Sequence, residues 1–193
     1  MKISKWCFFF KGFLECSANS KGNKVIGFEF YTSVYREVFQ MNQVEELLKV
    51  VEEAQADQGN VVIVTGKPGS GKSKVLREAA EAKKWTYVDC RMLISEEFLA
   101  IPAADRGLYA PDMFADILAS YNAEVIILDR LQTLFVPVFH INTDSLMRKL
   151  SKKFTIVTAW PGYIENGNLC YDKFDGTEAI RISPDGFKIW NVE

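Results

Sequence analysis

Eight consecutive residues, from Gly66 to Ser73, carry the pattern most directly tied to chemistry. They read GKPGSGKS and match the phosphate-binding loop G-x-x-x-x-G-K-[ST] without a gap. Glycines in such a loop let backbone N–H groups converge on phosphate oxygens, and the helix that follows adds a favourable dipole. The sequence therefore predicts a nucleotide-phosphate site formed by Gly66, Lys67, Pro68, Gly69, Ser70, Gly71, Lys72 and Ser73.

Two side chains of this loop have separate predicted roles. We expect Lys72 to reach the β- and γ-phosphates and Ser73 to offer its hydroxyl to Mg²⁺. The alternative is a glycine turn followed by an unrelated Lys-Ser pair, and it predicts that Lys72→Ala leaves nucleotide affinity unchanged. ATP is the expected nucleotide, because no N-K-x-D motif for reading guanine occurs in the sequence. Mg²⁺ is the expected metal ion, since the Ser73 hydroxyl would bind it.

The second half of a nucleotide site is an acidic residue at the carboxyl end of a neighbouring strand. Asp129 ends the apolar run VIILD and fits this role, so Ser73 and Asp129 are the predicted metal-site residues. The competing interpretation is an aspartate that only caps the turn after a buried strand.

The residue after Asp129 raises the question of hydrolysis. Many nucleotide-hydrolysing enzymes carry a catalytic glutamate there, whereas this chain has Arg130, and no glutamate occurs between Glu124 and Glu165. In one option, ATP turnover is slow and is stimulated by a residue from another chain, an effect of about 10³ to 10⁵ in rate for arginine fingers. In the other, ATP is not turned over, and its occupancy of the site alone switches the conformation. The sequence predicts ATP binding and leaves both options open, with an ATPase as the first expectation and hydrolysis itself undecided.

Several further side chains are candidates for the reaction. Gln132 could orient the attacking water and Thr158 could contact the γ-phosphate, although an ordinary local hydrogen bond is the alternative for each. The predicted catalytic set is therefore Lys72, Asp129, Thr158 and Gln132. Candidate arginines for acting within the chain or between chains are Arg106, Arg130 and Arg181, for which a surface salt bridge is the alternative.

Aromatic and basic residues near the site allow weaker hypotheses. The segment from Trp160 to Tyr163 could stack on an adenine, but such clusters more often belong to a core or a turn. His140 stands alone and is expected to be a packed or hydrogen-bonded histidine. The run RKLSKK could touch nucleic acid, yet it lies at a predicted helix end where cations are favoured in any case.

The elements that position these residues alternate along the chain. Apolar runs predict strands at 60–65, 85–90, 124–129 and 154–160, and helical patterns cover 72–84, 111–121 and 142–153, with a short helix after Ser95. Continuously apolar strands alternating with helices favour an α/β fold, a parallel sheet with helices on both faces. Beyond Trp160, the turn sequences ENGN and SPDG predict a C-terminal β-hairpin addition, and no full helical lid domain is expected.

The domain boundary is predicted at Met41. Residues 1–40 are rich in Phe and Tyr without a clear period, whereas MNQVEELLKVVEEAQ places Val44, Leu47 and Val51 on one helical face. We expect a P-loop domain over 41–193 and an N-terminal extension over 1–40. Either Met41 is the functional start and the extension is not part of the functional protein, or the extension is dispensable; the alternative is an extra structural layer.

The amino-acid composition limits the kinds of partner and the compartment that we expect for the protein. The 193 residues contain 23 Lys+Arg and 25 Asp+Glu, and the net charge of −2 gives no bulk field for nucleic acid or an anionic membrane. Four separated cysteines and one histidine form no zinc pattern, and no run of eighteen apolar residues exists. A reduced, cytoplasmic protein that contacts no membrane is the expectation.

The chain from about 41 to 193 resembles BrxF, the small P-loop family of type III BREX bacteriophage-exclusion systems. The resemblance rests on MNQVEELL, VVIVTGKPGSGKS, VIILD and above all TIVTAWPGYIENGNLCY. It implies a bacterial ATP-binding component that works beside larger defence-system subunits, with Gly66, Gly71, Lys72, Ser73 and Asp129 as the carried-over site residues. Assembly with copies of itself and direct contact with nucleic acid stay open.

Three functions compete at this point. The first is an ATP-binding switch or slow ATPase with an AAA-like, RecA-like core. The second is a small-molecule kinase, for which AIPAADRGLYAPD is a candidate lid, although it holds a single arginine, Arg106. The third is a non-catalytic interaction subunit, which retained nucleotide affinity would contradict.

Overall fold

The computed structural model describes residues 41–57, 60–172 and 179–192. The predictions for the N-terminal extension over 1–40 therefore lie outside the described residues. Within the described part, no helix combines the length and the apolar character that crossing a membrane requires.

In the described residues, eight strands form two sheets. In chain order they are β1 (Val61–Thr65), β2 (Thr86–Asp89), β3 (Val125–Asp129), β4 (Thr155–Ala159), β5 (Tyr163–Glu165), β6 (Asn168–Tyr171), β7 (Ile180–Ile182) and β8 (Lys188–Asn191). The main sheet has the order β2-β3-β4-β1-β8, and all four of its pairings are parallel. The four predicted strands are thus confirmed, with boundaries shifted by at most one residue.

Within the same part of the chain, five α-helices accompany the strands. They are α1 (residues 41–56), α2 (Lys72–Lys83), α3 (Glu96–Ala100), α4 (Arg106–Ala119) and α5 (Thr143–Leu150). Ser95 caps α3 by accepting a hydrogen bond from the Phe98 N–H, and Asn142 caps α5 by accepting one from the Ser145 N–H. Short 3₁₀ turns follow β2 and β3.

Helix α4 begins five residues before the predicted start at Pro111. The proline lies inside the helix, with Ala110 and Pro111 both buried. The first turn is fastened by Arg106, whose guanidinium donates to the carbonyl oxygens of Leu99 and Ile101 at 2.8 and 3.0 Å. Tertiary contacts therefore override the usual preference of proline for the start of a helix.

Helices cover both faces of the main sheet, as predicted. Alternate side chains of each strand point to opposite faces. Val62 and Val64 pack in the core that contains α1 and α2, whereas Val61 and Ile63 pack in the core that contains α4 and α5. The result is a three-layer α/β arrangement with an apolar core on each side of the sheet.

The prediction of a single C-terminal hairpin is wrong in part. ENGN does close a hairpin, since Asn166 and Gly167 both have positive φ between the paired strands β5 and β6. The SPDG turn instead separates strands of different sheets, because β7 pairs with β6 while β8 pairs in parallel with β1. No helix follows β4 in residues 160–172 and 179–192.

Candidate functional site

The loop between β1 and α2 adopts a backbone that its glycines permit. Gly69 and Gly71 have φ of 82° and 91°, and Gly71 is the N-cap of α2. A Cβ atom added at either glycine would meet nothing within 4 Å, so the loop opens to free space on that side. These two glycines leave room over the start of α2, where the helix dipole favours an anion.

Gly66 is required for a different reason. Its φ is 146°, and an added Cβ would lie 2.7 Å from the Val192 carbonyl oxygen and 2.8 Å from Ser70 Oγ. The base of the loop thus packs directly against the chain that follows β8. Ser70 Oγ is buried and has no hydrogen-bond partner, an unsatisfied polar atom inside the loop.

The Lys72 side chain folds over the same loop. Its ammonium donates to the carbonyl oxygens of Gly66 and Lys67 at 2.7 and 3.0 Å. Burial lowers the pKa of the Lys72 ammonium from its usual value. The partial desolvation that causes this shift also strengthens any interaction of the ammonium with an anion in the loop.

Ser73 and Asp129 meet as predicted. Ser73 Oγ donates to Asp129 Oδ1 at 3.0 Å, across 56 positions of the sequence. Asp129 is only 6% exposed at the end of β3, whereas Ser73 is exposed on the first turn of α2. The interpretation of Asp129 as a turn cap is therefore replaced by a direct link between the loop and the strand end.

Tyr87 is a site residue that the sequence analysis missed. Its phenol donates to Asp129 Oδ2 at 2.5 Å from the neighbouring strand β2. Burial, together with this hydrogen bond to a carboxylate, raises the pKa of Tyr87 to about 12, so the phenol stays a donor at neutral pH. The Arg77 guanidinium lies 5.7 Å from the centre of the Tyr87 ring.

Arg130 forms an ion pair with a second carboxylate, that of Asp89. Asp89 ends β2 directly opposite Asp129, and Arg130 Nε lies 3.3 Å from its Oδ2. Arg91 binds the same carboxylate at 2.6 Å, and the Arg91 hydrogen bond holds the pKa of Asp89 below its usual value. Arg130 itself has a left-handed φ of 58°, an uncommon conformation for a residue other than glycine.

Thr158 does not join the site. Its hydroxyl is fully buried and donates to the Leu128 carbonyl oxygen at 2.7 Å. On β4 the neighbouring residues Val157 and Ala159 pack in the core on the α2 side, so Thr158 faces the opposite side of the sheet. The predicted contact with a γ-phosphate is replaced by a local hydrogen bond.

Gln132 lies exposed on the 3₁₀ helix Leu131–Phe135, three positions after Asp129. This position keeps its amide accessible at the carboxyl edge of the sheet. Its predicted role in orienting a water stays a prediction.

The other candidate arginines have structural partners. Arg106 bridges three carbonyl oxygens, the third from Val138 at 3.3 Å, and so fastens the segment proposed as a kinase lid. Arg181 lies on β7 and forms an ion pair with Glu165 at 3.6 Å. Arg181 thus agrees with the salt-bridge interpretation, whereas Arg106 donates to backbone carbonyl oxygens, a role that the sequence analysis did not predict.

The aromatic segment after β4 belongs to the core. Trp160 is 1% exposed, packs against Phe135 and donates from Nε1 to the Cys170 carbonyl oxygen at 2.9 Å. Tyr163 is exposed but donates to Asp172 at 3.0 Å. The Trp160 ring is thus enclosed and is unavailable for stacking on a base.

His140 lies elsewhere, as an exposed turn residue with φ of 50°.

A cation in this site would rely on few protein ligands. Residues 41–57, 60–172 and 179–192 contain no group of three His, Cys, Asp or Glu side chains that could hold a metal ion. Mg²⁺ is commonly bound through one or two protein oxygens together with substrate phosphates and waters. Ser73 and Asp129 fit that mode, since one is exposed and the other is held beside it.

Comparisons with known proteins add little. The chain matches no protein-family model and no curated protein sequence. Among solved structures, that of C. elegans PCH-2 matches with a TM-score of 0.41 and 12% identity. The match covers 76% of this chain but only 41% of the PCH-2 chain, less than half of its length. At this level the likeness defines neither the fold nor the activity of the chain.

Proposed function

We propose that the chain is a P-loop NTPase with an AAA/RecA-like core that binds Mg²⁺-ATP and acts as a nucleotide-dependent switch or a slow, partner-stimulated ATPase. The hydrogen bond between Ser73 and Asp129 carries this proposal, because it brings the loop and the strand-end carboxylate together at one edge of the sheet. In the main sheet, β4 lies between β1, which leads into the loop, and β3, which ends in Asp129. This strand order supports the same type of core.

The residues present suit a nucleotide. The open space over Gly69 and Gly71 admits phosphate groups. The buried Ser70 hydroxyl has no hydrogen-bond partner, and a polar ligand could supply one. Lys72 would redirect its ammonium from the loop carbonyls to the phosphates. Bound Mg²⁺ would add charge neutralisation on the phosphate oxygens, with Ser73 and Asp129 holding it.

The geometry around Arg130 supports slow intrinsic turnover. The position that would hold a water-activating carboxylate carries a guanidinium, and that guanidinium is drawn to Asp89. A partner that supplies the missing group would therefore accelerate the reaction. The kinase alternative is weakened, because Arg106, the single arginine of the candidate lid, is committed to three carbonyl oxygens.

Partners enter the proposal through the resemblance to BrxF alone. On that ground we include subunits of a BREX-type defence system, and other copies of this chain, among the candidates for stimulating turnover. AWPG, the most specific part of that resemblance, has a packing role here, because a Cβ on Gly162 would lie against the Cys170 carbonyl.

The test measures binding and turnover separately in the full chain. We expect a fluorescent ATP analogue to bind in the presence of Mg²⁺ and Lys72→Ala to lower the affinity at least tenfold, with Lys74→Ala on the same helix as the matched control. ATP turnover is then followed over a range of protein concentrations. Binding that is equal in wild type and Lys72→Ala would refute the proposal, and turnover that rises more than linearly would identify copies of the chain as the stimulating partner.

A further inference from the structure

We propose that Tyr87 is a positioning residue for the magnesium site, holding one oxygen of Asp129 so that the other stays beside Ser73. This inference rests on the proposed function. It concerns a residue on the edge strand β2 that no sequence motif indicates.

Four side chains form a continuous series of contacts. Ser73 and Arg77 lie one turn apart on α2 and therefore on the same face of the helix. Ser73 donates to one oxygen of Asp129, Tyr87 donates to the other, and Arg77 lies over the Tyr87 ring. This series of contacts ties α2, β2 and β3 together at the place where the loop meets the sheet.

The direction of the hydrogen bonds suits a cation. An ionised carboxylate only accepts, so both Ser73 and Tyr87 must donate their protons to Asp129. A serine hydroxyl that gives its proton to Asp129 keeps its oxygen lone pairs for a metal ion. The contact between Ser73 and Asp129 can thus persist when Mg²⁺ arrives.

Tyr87 removes the remaining freedom of the carboxylate. Held at one oxygen alone, the Asp129 side chain could turn about its terminal bond, whose rotamers are broad. Held at both oxygens and 6% exposed, the carboxylate has one orientation before any ligand binds. Tyr87 acts through Asp129, in the way that outer partners of metal ligands tune affinity by about 10- to 100-fold.

The test uses Tyr87→Phe in the full chain, because this change removes the hydroxyl and keeps the ring beside Arg77. A fluorescent ATP analogue is titrated with Mg²⁺, and its affinity is also measured in EDTA. We expect the Mg²⁺ concentration for half-maximal effect to rise about 10- to 100-fold, with the affinity in EDTA unchanged. Tyr163→Phe is the matched control, since it also loses a hydroxyl bonded to an aspartate, Asp172, but outside the site.

A double-mutant cycle with Asp129→Asn separates positioning from general packing. If Tyr87 acts through Asp129, the effect of Tyr87→Phe disappears in the Asp129→Asn background. An unchanged Mg²⁺ curve, or an equal loss of affinity with and without Mg²⁺, would overturn the inference while leaving nucleotide binding in place. Failure of the wild type to bind the analogue would refute the proposed function, and this inference with it.

Discussion

Arg130 shows how one residue can be held out of a site it borders. Its left-handed φ of 58° turns the chain directly after Asp129, and its guanidinium meets Asp89 at the end of the next strand. Asp89 also binds Arg91, so two cations converge on one carboxylate. The charge of Arg130 is thereby partly neutralised beside the candidate metal site instead of opposing a cation there.

Replacing Asp89 tests this cluster through the pH dependence of stability. The pKa of Asp89 is lower in the folded state than in the unfolded state. The ionised carboxylate therefore contributes to the stability of the fold above its unfolded-state pKa of about 3.9, and this contribution is lost as the pH falls through the folded-state pKa. We expect Asp89→Asn to lower the free energy of unfolding at pH 7 by on the order of 1 kcal/mol or less, and by a smaller amount near pH 3. Urea unfolding at the two pH values measures the difference.

The matched control is Asp116→Asn, an exposed aspartate on α4. It should show no comparable change between the two pH values. A loss for Asp89→Asn that is the same at pH 7 and pH 3 would contradict the ion-pair interpretation and indicate a packing role.

Strands and helices explain which parts of the site the sequence could predict. The loop and Asp129 follow from local patterns, and the meeting of Ser73 with Asp129 follows from parallel strands ending at one edge. Tyr87 and Asp89 could not be assigned in the same way, because their proximity to Asp129 depends on β2 lying next to β3 in one particular register. Alternation in TYVD shows only that these two side chains share a face.

Long-range pairing also explains the errors beyond β4. SPDG has the composition of a hairpin turn, but β8 finds a better partner in the exposed edge of β1 than in β7. Pro111 similarly signals a helix start, whereas Arg106 fastens an earlier one. Turn and capping signals read only their immediate neighbours. For SPDG a strand pairing distant in sequence decided the outcome, whereas the early start of α4 accompanies hydrogen bonds from Arg106 to the nearby carbonyl oxygens of Leu99 and Ile101.

The segment AWPG is expected to stabilise the fold without touching nucleotide. Trp160 supplies the hydrogen bond for the buried Cys170 carbonyl at 2.9 Å. Trp160→Phe removes this buried hydrogen bond and part of a buried ring, so the free energy of unfolding should fall by about 1 to 3 kcal/mol. Nucleotide affinity should stay within twofold, because the Trp160 ring is enclosed by the core.

Chemical denaturation and titration of a fluorescent ATP analogue provide the two readouts for Trp160→Phe. A variant of wild-type stability with weakened nucleotide binding would reverse the assignment and restore Trp160 as a base-stacking residue. Tyr163→Phe, at an exposed position of the same segment, should alter neither quantity.

At the scale of the whole molecule, the last described strand supports the first. Thr65 Oγ1 lies within hydrogen-bond distance of two acceptors, the Trp190 carbonyl oxygen and Asn191 Oδ1, both at 3.3 Å. The Val192 N–H donates to the Thr65 carbonyl oxygen at 2.9 Å. Val192 is 2% exposed and its carbonyl backs Gly66. The shape of the loop thus depends on residues more than 120 positions later.

Val192→Ala tests this dependence. Losing two buried methyl groups should lower the free energy of unfolding by roughly 1 to 2 kcal/mol. The affinity for a fluorescent ATP analogue should fall as well, since the support under Gly66 loosens. Ile189→Ala, at an exposed position of the same strand, should change neither quantity. An affinity equal to that of the wild type at full occupancy of the folded state would show that β8 does not shape the loop.

The pairing of β8 with β1 also has a consequence for a chain that is still emerging from the ribosome. The loop sequence is translated long before Val192, yet its base is completed only when β8 docks along β1. A nascent or prematurely terminated chain would carry the whole motif without its supporting wall. Under the proposed function, tight nucleotide binding would therefore require a chain that includes β8, and fragments released before β8 would not compete with such chains for ATP.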